Sequence, residues 1–106
     1  MRHMLDHARE ASTLIAGRTR ADLDTDRQLQ LSVVRLIEIV GEAANHVSRE
    51  EQQTRPAVAW REAVTARNRV IHGYDAIDLD IVWEIAAHDF PALAAELETI
   101  LAESEG

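Results

Sequence analysis

The chain contains no cysteine and no lysine, only two prolines and four glycines, and 4% aromatic residues. Without cysteine there is neither a disulfide framework nor thiolate ligation of a metal, so a reducing compartment is compatible with it. No apolar run is long enough to span a bilayer, and the start, Met1-Arg2-His3-Met4-Leu5-Asp6-His7, lacks an apolar leader core. The expectation is a soluble, cytoplasmic protein without membrane contact. Turn-forming residues are sparse and β-branched runs short, which argues against a sheet protein. No phosphate-cradling glycine loop occurs, so no nucleotide cofactor is expected.

What remains is 106 residues with 46% hydrophobic content, enough for one domain spanning residues 1–106 with a single core. Its surface fraction stays high, so association with a second copy would help it. A net charge of −8 weighs at first against a nucleic-acid partner. The distribution softens this. Residues 1–54 carry seven arginines against nine acids, residues 55–72 carry Arg55, Arg61, Arg67 and Arg69 against Glu62, and residues 73–106 carry nine acids and no base. The absence of lysine fits phosphate recognition by arginine forks, and fits a general compositional bias equally well.

Apolar spacing predicts an all-α fold of four helices. The first covers about residues 2–16, with Leu5, Ala8, Ala11, Ser12 and Ile15 on one face and Gly17 as its stop. Asp22, Asp24 and Thr25 offer N-caps for the second, which runs to about Val47. Its inward stripe is Leu29, Val33, Leu36, Ile37, Val40, Ala44 and Val47. Leu31, Val34 and Ile39 lie off that stripe and suggest a second apolar face for a partner. Arg35, Glu38, Glu42 and Asn45 form a polar seam, read either as a solvated face or as a source of Glu42 or Arg35 to orient a site. Residues 48–55 read as a linker. A third helix begins near Pro56 to Trp60 and ends at Gly73; the fourth starts after Asp78 or Asp80, runs to about Glu103 and is kinked at Pro91.

The chemistry concentrates in Arg67-Asn68-Arg69-Val70-Ile71-His72-Gly73-Tyr74. Arginine supplies a permanent charge whose forked donors match phosphate oxygens, and histidine can exchange a proton near neutrality. On a regular helix Trp60, Val64, Arg67 and Ile71 share a face, so Arg67 needs an anion, a carboxylate such as Glu42, or a subunit boundary. His72 lies about 140° further around such a helix. Either the helix end unwinds at Gly73 or the site is assembled from two copies across a twofold axis. His3 and His7 are one turn apart, a spacing that suits zinc but also a solvated face; Trp60 and Trp83 read as core. His46 and His88 belong to no constellation.

This Arg-x4-His-x-Tyr pattern resembles the signature of the HEPN superfamily, specifically its HepT-like toxin branch. The likeness includes Gly41-Glu42-Ala43, the segment Pro56 to Trp60-Arg61-Glu62, Asp78-Leu79-Asp80-Ile81-Val82-Trp83-Glu84 and Phe90-Pro91. One departure is Ala59, where many relatives have a second proline before the tryptophan. The resemblance implies a four-helix HEPN bundle acting as a metal-independent endoribonuclease toxin, a homodimer whose paired motifs line one cleft. It implies His72 as general acid or base, Arg67 as phosphate ligand, Asn68 as a supporting group, and a 2′,3′-cyclic phosphate product. Its antitoxin is a minimal nucleotidyltransferase that can attach AMP to Tyr74. The alternative is a noncatalytic HEPN subunit that only docks a nucleotidyltransferase, which the acidic tail favours.

Overall fold

Residues 1–72 and 76–105 are described by the computed structural model, the side chains of His72, Ser104 and Glu105 excepted; Gly73 and Tyr74 lie outside the described residues. α1 (Arg2–Ile15) buries Met4, Leu5, Ala8, Ala11 and Ile15 at the three- and four-residue spacing of an amphipathic helix. Gly17 follows at φ +76°, a left-handed conformation that lets Arg18 N–H turn back to the Ile15 carbonyl at 2.9 Å.

α3 (Arg27–His46) is the central element and packs against α1 on one side and α5 (Trp60–Val70) on the other. α7 (Phe90–Glu105) lies on the far side of α1. The expected inward stripe of α3 is buried from Leu29 to Ala44, and Val47 is the C-cap. Its N-cap is Asp26 rather than the three residues expected: the carboxylate accepts the Leu29 N–H at 3.0 Å. That bond, aided by Arg18 at 3.1 Å, holds the Asp26 carboxyl below the usual aspartate range.

The fold is all-α in character, with corrections to the four expected helices. The polar stretch before α3 contains a short helix, α2 (Arg20–Thr25), closed by a reciprocal capping box between Thr19 and Asp22. The expected linker is α4 (Arg49–Thr54), capped by the Ser48 hydroxyl on Glu51 N–H at 3.1 Å. α5 ends at Val70, not at Gly73. The backbone turns extended at Ile71, and β1 (Ile71–His72) pairs antiparallel with β2 (Ala76–Ile77), Ile71 opposite Ile77 and His72 opposite Ala76.

α6 (Leu79–Glu84) starts from Asp78, whose side chain accepts the Ile81 N–H at 3.1 Å. A π-helical segment, Ile85–Asp89, joins it to α7. This segment solves the problem set by Pro91. In the π register Phe90 N–H reaches the Ile85 carbonyl, and the next donor would be Pro91, which has none, so the Ala86 carbonyl lacks its helical partner. Ser12 supplies one: its hydroxyl lies 3.3 Å from Ala86 O while also meeting Ala8 O at 3.2 Å. The serine on the apolar face of α1 is thus a cross-helix donor. Ser12→Ala leaves that half-buried carbonyl without the bond, and denaturant unfolding should show a loss of about 1 kcal/mol; an unchanged midpoint would mean water replaces the hydroxyl without cost.

Candidate active site

α3 and α5 run antiparallel and cross at Gly41. A Cβ at that position would stand 3.0 Å from the Ala63 carbonyl oxygen and 3.4 Å from that of Val64, so a side chain there would require α5 to give by a few tenths of an ångström. One turn back along α3 lies Glu38, and one turn forward along α5 lies Arg67. The crossing brings them together: Arg67 Nε is 3.9 Å from Glu38 Oε2. Arg35 Nη1 donates to the same oxygen at 3.3 Å and stands 3.7 Å from Glu42 Oε1. The polar seam of α3 is therefore engaged with the motif helix, in an alternating arrangement of two arginines and two carboxylates.

Arg67 does not occupy the buried stripe expected of it. Trp60, Ala63, Ala66 and Val70 form that stripe, while the Arg67 side chain is 60% exposed. The reason lies in the crossing, which turns the small residues of α5 toward α3 and leaves Arg67 at the margin. Its carboxylate partner is Glu38 instead of Glu42. Asn68 is exposed on the following position, and Arg69 pairs with Asp89 at 3.5 Å.

His72 belongs by its backbone to β1, five residues after Arg67. Because α5 has already ended, the helical angle separating the two residues does not apply; the chain unwinds two residues earlier than the first of the two alternatives required. Tyr74 lies outside the described residues. Of the apolar residues assigned to a second face of α3, Val34 is buried within the chain at 7% exposure, Ile39 is half-buried and Leu31 is 49% exposed. A cleft of about 520 Å³ between α5 and the start of α7 is lined by residues that include Ala63, Ala66, Phe90 and Leu93, and Arg67 is not among them.

A family model described as ribonuclease HepT-like matches residues 4–100. The chain belongs to the ribonuclease HepT-like family. A relative named "Probable ribonuclease HepT", from Thermococcus cleftensis, is 31% identical over 100 residues, 91% of each chain. A second, "Putative RNase MJ1380" from Methanocaldococcus jannaschii, is 33% identical over 75 residues, 71% of this chain and 69% of the relative. No solved structure matches significantly.

In this HepT-like chain the residue passed over by sequence reasoning is Glu38. It belongs to the polar seam of α3, from which the sequence singles out Glu42 and Arg35 as the residues to orient a site. The available signal was the glycine itself: a mid-helix glycine marks a close approach, and the side chains one turn away on each helix are the ones that meet. The His3 and His7 rings are tilted by 51° with centroids 4.3 Å apart, and His7 Nδ1 lies 2.7 Å from the His3 carbonyl. His46 Nδ1 meets the Glu42 carbonyl at 2.8 Å. Among the described residues no three His, Cys, Asp or Glu side chains are grouped to hold a metal ion, and no helix is long and apolar enough to cross a membrane.

Gly41→Ala tests the crossing. Alanine gains about 0.8–1.0 kcal/mol of helix propensity, but pressing a Cβ onto a backbone oxygen costs about 1–3 kcal/mol. The expected net effect is a destabilisation of about 1 kcal/mol in denaturant unfolding, and a variant as stable as the parent would show that α5 yields freely.

Proposed function

We propose that this chain is a metal-independent endoribonuclease toxin of a toxin–antitoxin pair, acting on RNA through the Arg67–Tyr74 motif. The observation that supports it most is the family match, which runs across the whole motif, combined with an exposed Arg67 guanidinium at the end of α5. In the reaction a ribose 2′-oxygen attacks the adjacent phosphorus, the bond to the 5′-oxygen breaks, and the products are a 2′,3′-cyclic phosphate and a 5′-hydroxyl. His72 moves the proton as general base or acid. Arg67 holds a phosphate oxygen and offsets the charge that grows in the pentacoordinate transition state, while Asn68 orients a proton or phosphate oxygen. RNA is the substrate, and no cofactor takes part.

The active form in this reading is a homodimer with the two motifs facing one cleft. Support for it is narrower than the sequence suggested, since Val34 is used within the chain; the exposed Leu31 remains as apolar surface for a partner copy. The cognate antitoxin is a minimal nucleotidyltransferase, which brings its own ATP and magnesium.

Purified protein should cleave RNA in EDTA and leave 2′,3′-cyclic phosphate ends. His72→Ala should lower the rate by about 10²- to 10⁴-fold and Arg67→Ala by about 10²- to 10³-fold, with helical circular dichroism retained. A wild-type protein that binds its nucleotidyltransferase but cleaves no RNA would establish the noncatalytic subunit instead.

Tyr74 is the acceptor for regulation in the same reading. An adenylyl group adds bulk and negative charge beside the site and repels RNA, as phosphorylation does elsewhere. Incubation with the nucleotidyltransferase, ATP and magnesium should add AMP to Tyr74 and suppress cleavage, whereas Tyr74→Phe should fold and escape. Neutralisation with no change in intact mass would show inhibition by docking alone.

A further inference from the structure

Two arginines from different helices converge on one carboxylate oxygen. Arg35 Nη1 is 3.3 Å and Arg67 Nε 3.9 Å from Glu38 Oε2, so these nitrogens are no more than about 7 Å apart. That separation is within the reach of one phosphate group with a 2.7–2.9 Å charge-assisted hydrogen bond on either side. Both arginine side chains are more than half exposed, at 59% and 60%, whereas Glu38 is 25% exposed. Each guanidinium has five N–H donors in a planar fork; Arg35 Nη1 donates to Glu38 at 3.3 Å, while Arg67 Nε, at 3.9 Å, stands beyond hydrogen-bond distance. Their placement comes from the α3–α5 crossing at Gly41, not from side-chain length alone.

We propose that Arg35 and Arg67 together bind one backbone phosphate of single-stranded RNA, in the place that the Glu38 carboxylate fills in the RNA-free protein. This rests on the ribonuclease reading and adds to it a phosphate-binding residue outside the motif. A carboxylate and a phosphate present the same kind of anionic oxygen to guanidinium donors, so the two compete for the pair. In the free protein Glu38 and Glu42 neutralise Arg35 and Arg67, which keeps the site quiet on a chain of net charge −8. RNA has to displace Glu38, so this carboxylate acts as a brake on binding. Arg35 and Glu38 consequently affect RNA affinity in opposite directions, although they touch each other.

The test uses the full chain and a single-stranded 2′-O-methyl uridine oligonucleotide, which has no free 2′-hydroxyl to attack and reports binding alone. Anisotropy titrations at several salt concentrations give the affinity and its salt slope. Loss of one phosphate contact on a single strand should reduce the slope of log K against log salt by about 0.7, equivalent to about fivefold weaker binding at 0.1 M salt. Arg35→Ala leaves that phosphate to Arg67 alone and should weaken binding and flatten the slope by up to these amounts, and Arg35→Gln, which keeps a hydrogen-bonding head without the charge, should do the same if alanine disturbs α3. Glu38→Gln should bind more tightly than the parent, with thermal melts verifying that all three variants fold. Parental affinity and slope in both Arg35 variants, with Arg67→Ala impaired, would overturn the two-arginine site and leave the ribonuclease reading standing. Weaker binding by Glu38→Gln would overturn the competition. A parent protein that neither binds this oligonucleotide nor cleaves unmodified RNA would remove the ribonuclease reading and this inference with it.

Discussion

The close approach of α3 and α5 at Gly41 is the constraint on which the candidate site depends. A single hydrogen in place of a methyl lets the two backbones come together, with Ala63 and Val64 carbonyl oxygens directly over the glycine. Antiparallel helices crossing at one point necessarily bring together the residues one turn to either side. Glu38 and Arg67 meet for that reason, and Arg35 joins them from the same face of α3. The ion pairs themselves are exposed and contribute little to stability. Their role is placement: two guanidiniums held near one another on a chain of net charge −8.

The junction of α6 and α7 is governed by a second backbone device. Pro91 cannot continue a regular helix, and the π-helical segment ahead of it moves the missing hydrogen bond onto the Ala86 carbonyl, where Ser12 from α1 is waiting. A local defect in one helix becomes a tie between two. Arg9 and Glu98 add an exposed link between α1 and α7. The outer helix is thus anchored to α1, and α1 in turn to α3, while a cleft stays open between α5 and α7.

Short range order along the chain explains which features could be read from sequence. The helical stripes of α1 and α3, the stop at Gly17 and the Asp78 cap all depend on residues within one or two turns, and each was legible. The two short helices were not, because six residues carry too little periodicity to stand out from a polar connection; they are held by caps, Thr19 with Asp22 and Ser48 with Glu51. The end of α5 was misplaced because glycine is the usual stop, whereas here pairing of Ile71 and His72 with Ala76 and Ile77 takes over the backbone before the glycine is reached.

By itself the sequence determined that this is a helical chain with one cluster of phosphate-suited chemistry, since periodicity and residue type are properties of neighbours along the chain, and it determined the family through Arg67-x4-His72-x-Tyr74 and the segments around it. Only the tertiary structure decided which face of α5 turns inward, that Glu38 rather than Glu42 is the partner of Arg67, that Val34 is consumed within the fold, and that Arg35 stands beside the motif. Those outcomes depend on the rotation and separation of packed helices. Local spacing leaves both open, and the glycine at the crossing sets them.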